Sequence, residues 1–272
     1  MGAHYVSFEG VASAITYDEY CAGAAGGPGL DYWWKLNHDF DSSAIESNYG
    51  SAGSADLECM FSFTGNAQDT GLVNGTADAL SVEFTGANVE WLNADSVRVD
   101  GSQRFAAGGW FIVPTGAADQ LLFRSNMGGT QGYWRGVDIL YSAGSTALVI
   151  VLGTNSIAGS KFFYRLVTAS GVFARDVLNF LVLDVTPTLD PLTVGLTLYI
   201  NGVAVSLSFA EGTGDTIAWP VTDSSPNNWN GIAFGAAGDT YGNNANFQAD
   251  EVFFHLGGLT STQVTTMYSL GS

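Results

Sequence analysis

The chain has 272 residues, of which 46% are hydrophobic and only 12% are charged, and its formal net charge is −18. This charge disfavours contact with phosphate backbones and anionic membrane surfaces, so neither a nucleic-acid partner nor a membrane partner is expected. The 35 glycines and the sparse charged residues are typical of many short strands separated by turns. The length fits one large all-β domain with a sizeable core.

The N-terminal residues MGAHYVSFEG contain neither the basic region nor the long apolar stretch of a signal peptide. No apolar run reaches the roughly 18 residues that a membrane helix needs. We therefore expect synthesis in a cytoplasm without a signal peptide. In that compartment the two cysteines, Cys21 and Cys59, are expected to be free thiols, although a disulfide between them stays open.

Residues 1–29 differ in composition from the rest of the chain. They are rich in small residues and end in AGAAGGPG, whose glycines and Pro28 are typical of a hinge or linker. We interpret residues 1–29 as an N-terminal arm with a Gly/Pro hinge, and residues 30–272 as one folded domain. The alternative, a first strand and a loop of that same domain, fits the composition equally well.

From Leu30 onward, runs with apolar alternation predict β-strands separated by clusters of Gly, Asn, Ser, Thr or Pro. Their regular spacing is typical of a sandwich or barrel. The predicted strands are Tyr32–Leu36, Glu58–Phe63, Ala79–Phe84, Asn88–Leu92, Gln103–Val113, Gln120–Arg124, Gly136–Tyr141, Ala147–Leu152, Lys161–Val167, Leu178–Val185, Gly231–Phe234 and Asp250–His255.

The clearest local prediction is a β-hairpin in LTLYINGVAVSLSF, from Leu196 to Phe209. Apolar residues alternate with Thr, Tyr, Ala and Ser on both sides of the dipeptide Asn201-Gly202. This dipeptide tolerates the positive φ angles of a type I′ turn better than most others do. The segment therefore predicts two paired strands with one buried face and one half-polar face.

One helix is predicted near the end of the chain, in GGLTSTQVTTMYSLGS. Thr260 and Gln263 have the spacing of a capping box, and Leu259 and Val264 have that of a hydrophobic staple. Gly271 is placed to close the helix. We expect this short helix to pack on the rim of the sandwich.

Five segments, taken in chain order, resemble the laminin G-like, concanavalin A-like jelly-roll domains. They are YWWKLNHDFDSSAIESNYGS, ALSVEFTGANVEW, FAAGGWFIVP, LYINGVAV and FQADEVFFHLGGLTSTQVTTMY. Together they extend over about residues 30–272. The resemblance implies an all-β fold, an antiparallel two-sheet jelly-roll sandwich with a short C-terminal helix.

No catalytic constellation is found. Relatives that cleave β-glucans carry Glu-x-Asp-x-x-Glu on one strand, and no Glu of this chain begins that pattern. Retaining hydrolysis needs two carboxyl groups about 5 Å apart. The nearest acidic pair is Asp250 and Glu251, and neighbours on a regular strand point to opposite faces. We therefore expect no catalytic residue and no enzymatic activity.

A metal is not assigned either. The resemblance raises Ca²⁺ at the sandwich rim, because Asp250 matches a family position from which a carboxylate could reach such an ion. The alternative, which we favour, is that Asp250 caps nearby backbone amides. The three histidines are scattered, with no Cys or acidic cluster at metal-ligand spacing. We therefore expect no cofactor.

Four aromatic residues are the candidates for a ligand or interface site: Trp134, Trp219, Trp229 and Tyr241. Aromatic faces beside Asn side chains, as around the last two, could stack on and hydrogen-bond sugar rings. Loop tryptophans also anchor protein interfaces or fill sandwich ends, so all three roles stay open. Trp110, in contrast, is expected in the core.

Three functions follow as hypotheses. Jelly rolls that resemble this chain are frequent in phage surface proteins, and a virion protein needs no signal peptide. The first hypothesis is a non-enzymatic phage virion surface protein, either a capsid decoration or a fibre-like protein. It would bind other virion proteins, form a homo-oligomer and contact a host cell-surface glycan. The alternative is a free carbohydrate-binding module or lectin, and a glycoside hydrolase with an unrecognised site is the least supported reading.

Overall fold

The structure of the chain is a computed structural model. The structure describes residues 15–36, 45–53, 55–60, 69–74, 76, 80–85, 91–98, 104–125, 136–153, 163–186, 195–212, 230–235 and 245–272. No helix in this part of the chain has the length and apolar character needed to cross a membrane.

Strands dominate the described residues, with one short helix near each end. The strands are β1 (Tyr32–Trp34), β2 (Ile45–Glu46), β3 (Leu57–Met60), β4 (Asp69–Thr70), β5 (Leu80–Thr85), β6 (Trp91–Arg98), β7 (Phe105–Ile112), β8 (Gln120–Ser125), β9 (Gly136–Ser142), β10 (Ala147–Gly153), β11 (Phe163–Val167), β12 (Asn179–Val185), β13 (Leu196–Ile200), β14 (Val203–Val205), β15 (Ser208–Gly212), β16 (Asn230–Gly235) and β17 (Asn246–Leu256). The helices are α1 (Tyr17–Cys21) and α2 (Ser261–Gly271), and a 3-10 turn spans Ala24–Gly26.

The strands form two antiparallel sheets. Among the described residues, one sheet has eight strands in the order β14-β13-β12-β7-β17-β5-β4, with β1 also paired to β17. The other has nine strands in the order β15-β11-β10-β9-β8-β16-β6-β3-β2. Strands distant in sequence lie side by side, as β7 does with β17, and all the pairs are antiparallel. This arrangement confirms the predicted two-sheet jelly-roll sandwich with a C-terminal helix.

Apolar side chains are buried in layers on both sides of the eight-stranded sheet. The inner core fills the space between the sheets and includes Trp34, Phe111, Leu183 and Phe234. A second cluster lies on the opposite side of the eight-stranded sheet, where α1 and α2 cover it. We call this surface the helix-covered face. Trp110 is buried as predicted, but it lies in this second cluster rather than between the sheets.

The predicted hairpin is confirmed for its turn and for the pairing of β13 with β14. The prediction that its second strand runs on to Phe209 with a buried apolar face is wrong, because β15 pairs with β11 in the other sheet. Asn201 has a φ of 52° and Gly202 a φ of 78°, as a type I′ turn requires. Leu198 and Ile200 of β13 point into the inner core. The side chain of Val203 on β14 is 66% exposed and that of Phe209 on β15 is 54% exposed. The two edge strands therefore leave apolar surface open to solvent.

The C-terminal helix begins as predicted. The Thr260 hydroxyl accepts a hydrogen bond from the Gln263 amide, and the Gln263 side chain accepts one from the Thr260 amide. The helix packs on the helix-covered face rather than on the rim, because Val264 and Met267 are buried in that cluster. Gly271 lies within the helix, where a Cβ atom would come within 2.5 Å of the Trp110 ring. Close packing, and not a helix-closing turn, explains this glycine.

The N-terminal helix α1 was not predicted. Thr16 and Glu19 form a reciprocal capping box around its first turn, with hydrogen bonds of 2.9 and 3.2 Å. Tyr17 and Cys21 are fully buried in the helix-covered face, and Cys21 is a free thiol. Residues 15–29 of the proposed arm thus contact the sandwich directly. The division of the chain at residue 29 stays a prediction.

Candidate functional site

The aromatic residues selected from the sequence cannot be placed. Trp134, Trp219, Trp229 and Tyr241 all lie outside the described residues. Their assignment as ligand or interface residues therefore stays a prediction. The described residues form a different candidate site, a groove between the N-terminal segment and the start of α2.

One wall of this groove is the N-terminal segment, whose position and shape are fixed by three contacts. Trp110 Nε1 donates a hydrogen bond of 3.2 Å to the Tyr17 hydroxyl, and their rings meet edge to face. Lys35 Nζ lies 2.7 Å from Asp18 Oδ2, and both side chains are largely buried. The amide of Leu30 donates to the carbonyl of Cys21 at 2.9 Å, which closes the segment into a compact loop.

The other wall is the first two turns of α2. Arg104 forms a two-point ion pair with Asp184, with both nitrogen–oxygen distances 2.9 Å. Asp184 also accepts the Leu259 amide at 2.6 Å, and Arg104 donates to the Leu259 carbonyl at 2.7 Å. Because Leu259 immediately precedes the N-cap residue, this network fixes where the helix begins and how it leaves β17.

The groove between the two walls has a volume of about 510 Å³ and is open to solvent. This volume lies in the range of small-ligand sites. Its described lining consists of Ile15, Tyr20, Ala25, Gly26, Thr260, Thr262, Gln263 and Thr266. These residues present threonine hydroxyls, an amide and apolar surface, and none of them is charged. Such a lining suits a neutral ligand rich in hydroxyl groups.

The acidic pair Asp250 and Glu251 is arranged differently from the prediction. Strand β17 changes register against β7 between Asp250 and Phe253, and Glu251 has a φ of 49°. This is a β-bulge, which breaks the alternation of side chains. Ala249 and Val252 both point into the inner core, so the two acidic residues between them share the opposite side. The expectation that these neighbours face opposite sides is therefore wrong.

Both carboxylates are buried and engaged in structural contacts. Asp250 Oδ2 accepts the backbone amide of Leu72 at 2.9 Å, which confirms the backbone-capping interpretation of this residue. Glu251 accepts a hydrogen bond from the indole Nε1 of Trp33. Both residues are almost completely inaccessible to solvent. The pair is thus sealed under the N-terminal segment, and neither carboxylate lines the groove.

Burial sets the ionisation of this cluster. Loss of solvation raises the pKa of Glu251 well above the ordinary carboxyl range, and the neighbouring carboxylate of Asp250 raises it further. Burial likewise raises the pKa of the Cys21 thiol and of the Tyr17 hydroxyl. Within the described part of the chain, no group of three or more His, Cys, Asp or Glu side chains could hold a metal ion.

A buried ion pair lies on the outer face of the nine-stranded sheet. Arg124 on β8 and Asp138 on β9 are cross-strand partners and form a two-point ion pair, with distances of 2.9 and 2.7 Å. An apolar cluster of Leu121, Leu140, Val149 and Val151 lies on this sheet. The carboxylate of Asp138 is fully buried, and this burial raises its pKa against the opposing effect of Arg124. The pair is a structural element of the sheet.

No protein-family model matches the chain, and no curated protein matches it. Several solved structures share its fold at low sequence identity. A Trypanosoma rangeli sialidase in complex with 2,3-difluorosialic acid is 11% identical, with a TM-score of 0.54 over 88% of this chain and 33% of the sialidase. The binding domain of botulinum neurotoxin serotype G is 11% identical, with a TM-score of 0.52 over 89% of this chain and 51% of that domain.

A third structure is the binding domain of botulinum neurotoxin DC in complex with SialylT. It is 9% identical, with a TM-score of 0.53 over 89% of this chain and 51% of that domain. The chain thus spans about a third to a half of the proteins it matches. At these identities the likeness shows the fold alone, which is the concanavalin A-like sandwich. This fold agrees with the resemblance seen in the sequence.

Proposed function

We propose that this chain is a non-enzymatic recognition module that binds a neutral carbohydrate in the groove between the N-terminal segment and α2. The observation that carries the proposal is the lining of the groove, which offers hydroxyl and amide groups without a charged side chain. Sugars combine hydroxyl groups with apolar ring faces, and a cleft with matching polar and apolar surface recognises them.

The charge of the chain favours a neutral sugar over an anionic one. With a net charge of −18, the protein repels ligands that carry carboxylate or sulfate groups. Two structures with this fold are complexes with 2,3-difluorosialic acid and SialylT, which supports carbohydrate recognition as a use of the fold. For this chain, the absence of charge in the groove lining points to neutral hexoses instead.

The absence of a catalytic role is part of the same proposal. Most glycoside hydrolases use two carboxyl groups that flank the scissile bond of the substrate. Asp250 and Glu251 are adjacent acidic residues on a described strand. Both are buried, and they accept hydrogen bonds from a backbone amide and from an indole N–H group. The groove lining contains no carboxylate among its described residues.

A glycan array with the full chain tests the proposal. We expect binding to neutral oligosaccharides, weakened about tenfold or more in the double variant T262A/T266A, because two hydroxyl donors are lost. The control is Ser269→Ala, which removes an exposed hydroxyl of the same helix outside the groove lining. If Trp229→Ala or Tyr241→Ala abolishes binding while the double variant binds normally, the site lies at the predicted aromatic residues. Binding to no glycan contradicts the proposal.

Assembly with other copies or other virion proteins is a second candidate role, favoured by apolar side chains exposed on β14 and β15, which are edge strands of the two different sheets. The segment from Leu196 to Ala210 contains no charged residue, and Val203 and Phe209 are largely exposed. Exposed apolar patches on soluble proteins mark interaction surfaces. These exposed apolar side chains support the proposal of an oligomeric phage protein on the virion surface.

Sedimentation of particles from the native source tests this role. We expect the chain to sediment with assembled virions, and Val203→Lys to reduce the bound amount several-fold by placing a charge in the apolar contact. Thr197→Lys adds the same charge at an exposed position of β13 and serves as the control. Recovery of the wild-type chain only among free proteins would exclude the virion assignment.

A further inference from the structure

Glu251 occupies an unusual position at the contact between the N-terminal segment and the sandwich. Its side chain is 1% exposed, and the β-bulge directs it to the helix-covered face with its neighbour Asp250. Its carboxyl group accepts a hydrogen bond from Trp33 Nε1. A buried carboxyl group beside another carboxylate has a strong tendency to remain protonated.

Several ionisable groups of the described residues lie around Glu251. They are Tyr17, Asp18 and Cys21 from α1, Lys35 from the segment after β1, and Asp250 from β17. Of these groups Lys35 alone is cationic, and Asp18 holds its ammonium group at 2.7 Å. An ionised Glu251 would therefore meet two neighbouring carboxylates and one cation that is already paired.

We propose that a proton on Glu251 latches residues 15–29 onto the sandwich and that loss of this proton releases them. In the protonated state, α1 covers a neutral carboxyl group. In the ionised state, the same cover buries a negative charge beside Asp250 and Asp18. Lifting α1 returns that charge to water, so the undocked state gains stability when the proton is lost.

Opening of the N-terminal segment should increase as the pH rises. The pKa of Glu251 is raised in the docked state by burial and by Asp250. The resulting stabilisation of docking is fully present below the ordinary carboxyl pKa and is lost as the pH rises towards the raised value. Within this window the equilibrium constant for opening should increase by up to about tenfold per pH unit, because one proton is released on opening.

Cys21 is a built-in reporter of this opening. Its free thiol is fully buried at the end of α1, so a thiol reagent reaches it only when the segment lifts. In a Cys59→Ser background, Cys21 is the only cysteine of the full chain. Its rate of alkylation by iodoacetamide between pH 5 and 8, divided by the rate in the urea-unfolded chain at each pH, measures the opening constant.

Two variants decide the outcome. Glu251→Gln mimics the protonated side chain and keeps an acceptor for Trp33, so we expect an opening constant that is independent of pH. Asp18→Asn removes one neighbouring carboxylate and should make the rise in opening level off at a lower pH, because the raised pKa of Glu251 in the docked state falls. Equal pH profiles in the wild type and Glu251→Gln, or an Asp18→Asn profile that moves to higher pH, would overturn the latch.

The latch stands independently of carbohydrate binding. The segment that it controls supplies Ile15, Tyr20, Ala25 and Gly26 to one wall of the groove. If the groove binds a sugar, loss of the latch should weaken that binding as well. If the groove binds nothing, the thiol measurement still reports whether Glu251 controls the segment.

Discussion

Replacing Gly108 by alanine should lower the free energy of unfolding by about 3 kcal/mol or prevent folding, the upper end of the cost of overpacking a core. Gly108 lies in the middle of β7, between β12 and β17. A Cβ atom at this position would come within 2.1 Å of the backbone carbonyl oxygen of Leu181, and the Phe253 ring is 3.1 Å away. The Leu181 carbonyl cannot move away without disturbing the pairing of β12 with β7.

Thermal unfolding followed by circular dichroism measures this effect. The matched control is Gly144→Ala in the turn between β9 and β10, where nothing lies within 4 Å of an added Cβ atom. We expect the control to keep the wild-type melting temperature or to exceed it slightly, since alanine restricts the unfolded chain. Equal melting temperatures for the two variants would show that β7 and β12 are not packed as described.

Replacing Asp138 by leucine should cost about 3–5 kcal/mol, because Arg124 then loses the carboxylate that neutralises it in a buried site. The guanidinium group is held by two hydrogen bonds to this carboxylate on the neighbouring strand. The apolar cluster on the same sheet offers little solvation for a buried guanidinium group. We therefore expect the single variant to be among the least stable that keep the fold.

The double variant R124M/D138L is the decisive comparison. It removes both charges and leaves apolar side chains in an apolar cluster, so its stability should return to within about 1 kcal/mol of the wild type or exceed it. Urea unfolding of the wild type, both single variants and the double variant gives the coupling energy. Additive losses in the double variant would mean that the pair is solvated and contributes little.

The fold could be predicted from the sequence where local chemistry and alternation agree. Asn201-Gly202 predicted the hairpin turn, and Thr260 with Gln263 predicted the start of α2, because both signals act over a few residues. The face on which α2 packs was not predicted. The alternation places Trp110 on one face of its strand. It does not indicate that two helices bury this face, while the opposite face packs in the inner core.

The N-terminal helix and the bulge were missed for different reasons. Thr16 and Glu19 carry a capping box that could have predicted α1, but the glycine-rich stretch after it indicated a linker instead. The bulge at Glu251 has no such signal, because a positive φ at a glutamate arises from the packing of the whole sheet. The groove was missed for the same reason, since its two walls are more than 200 residues apart in the chain.

Hydrogen exchange of the full chain with and without a bound oligosaccharide shows whether the sugar occupies the groove. The neutral glycan with the strongest array signal should protect backbone amides in residues 15–26 and 260–266, the two walls of the groove. Protection confined to the segments around Trp134, Trp219, Trp229 or Tyr241, with no change at the groove, would contradict the account.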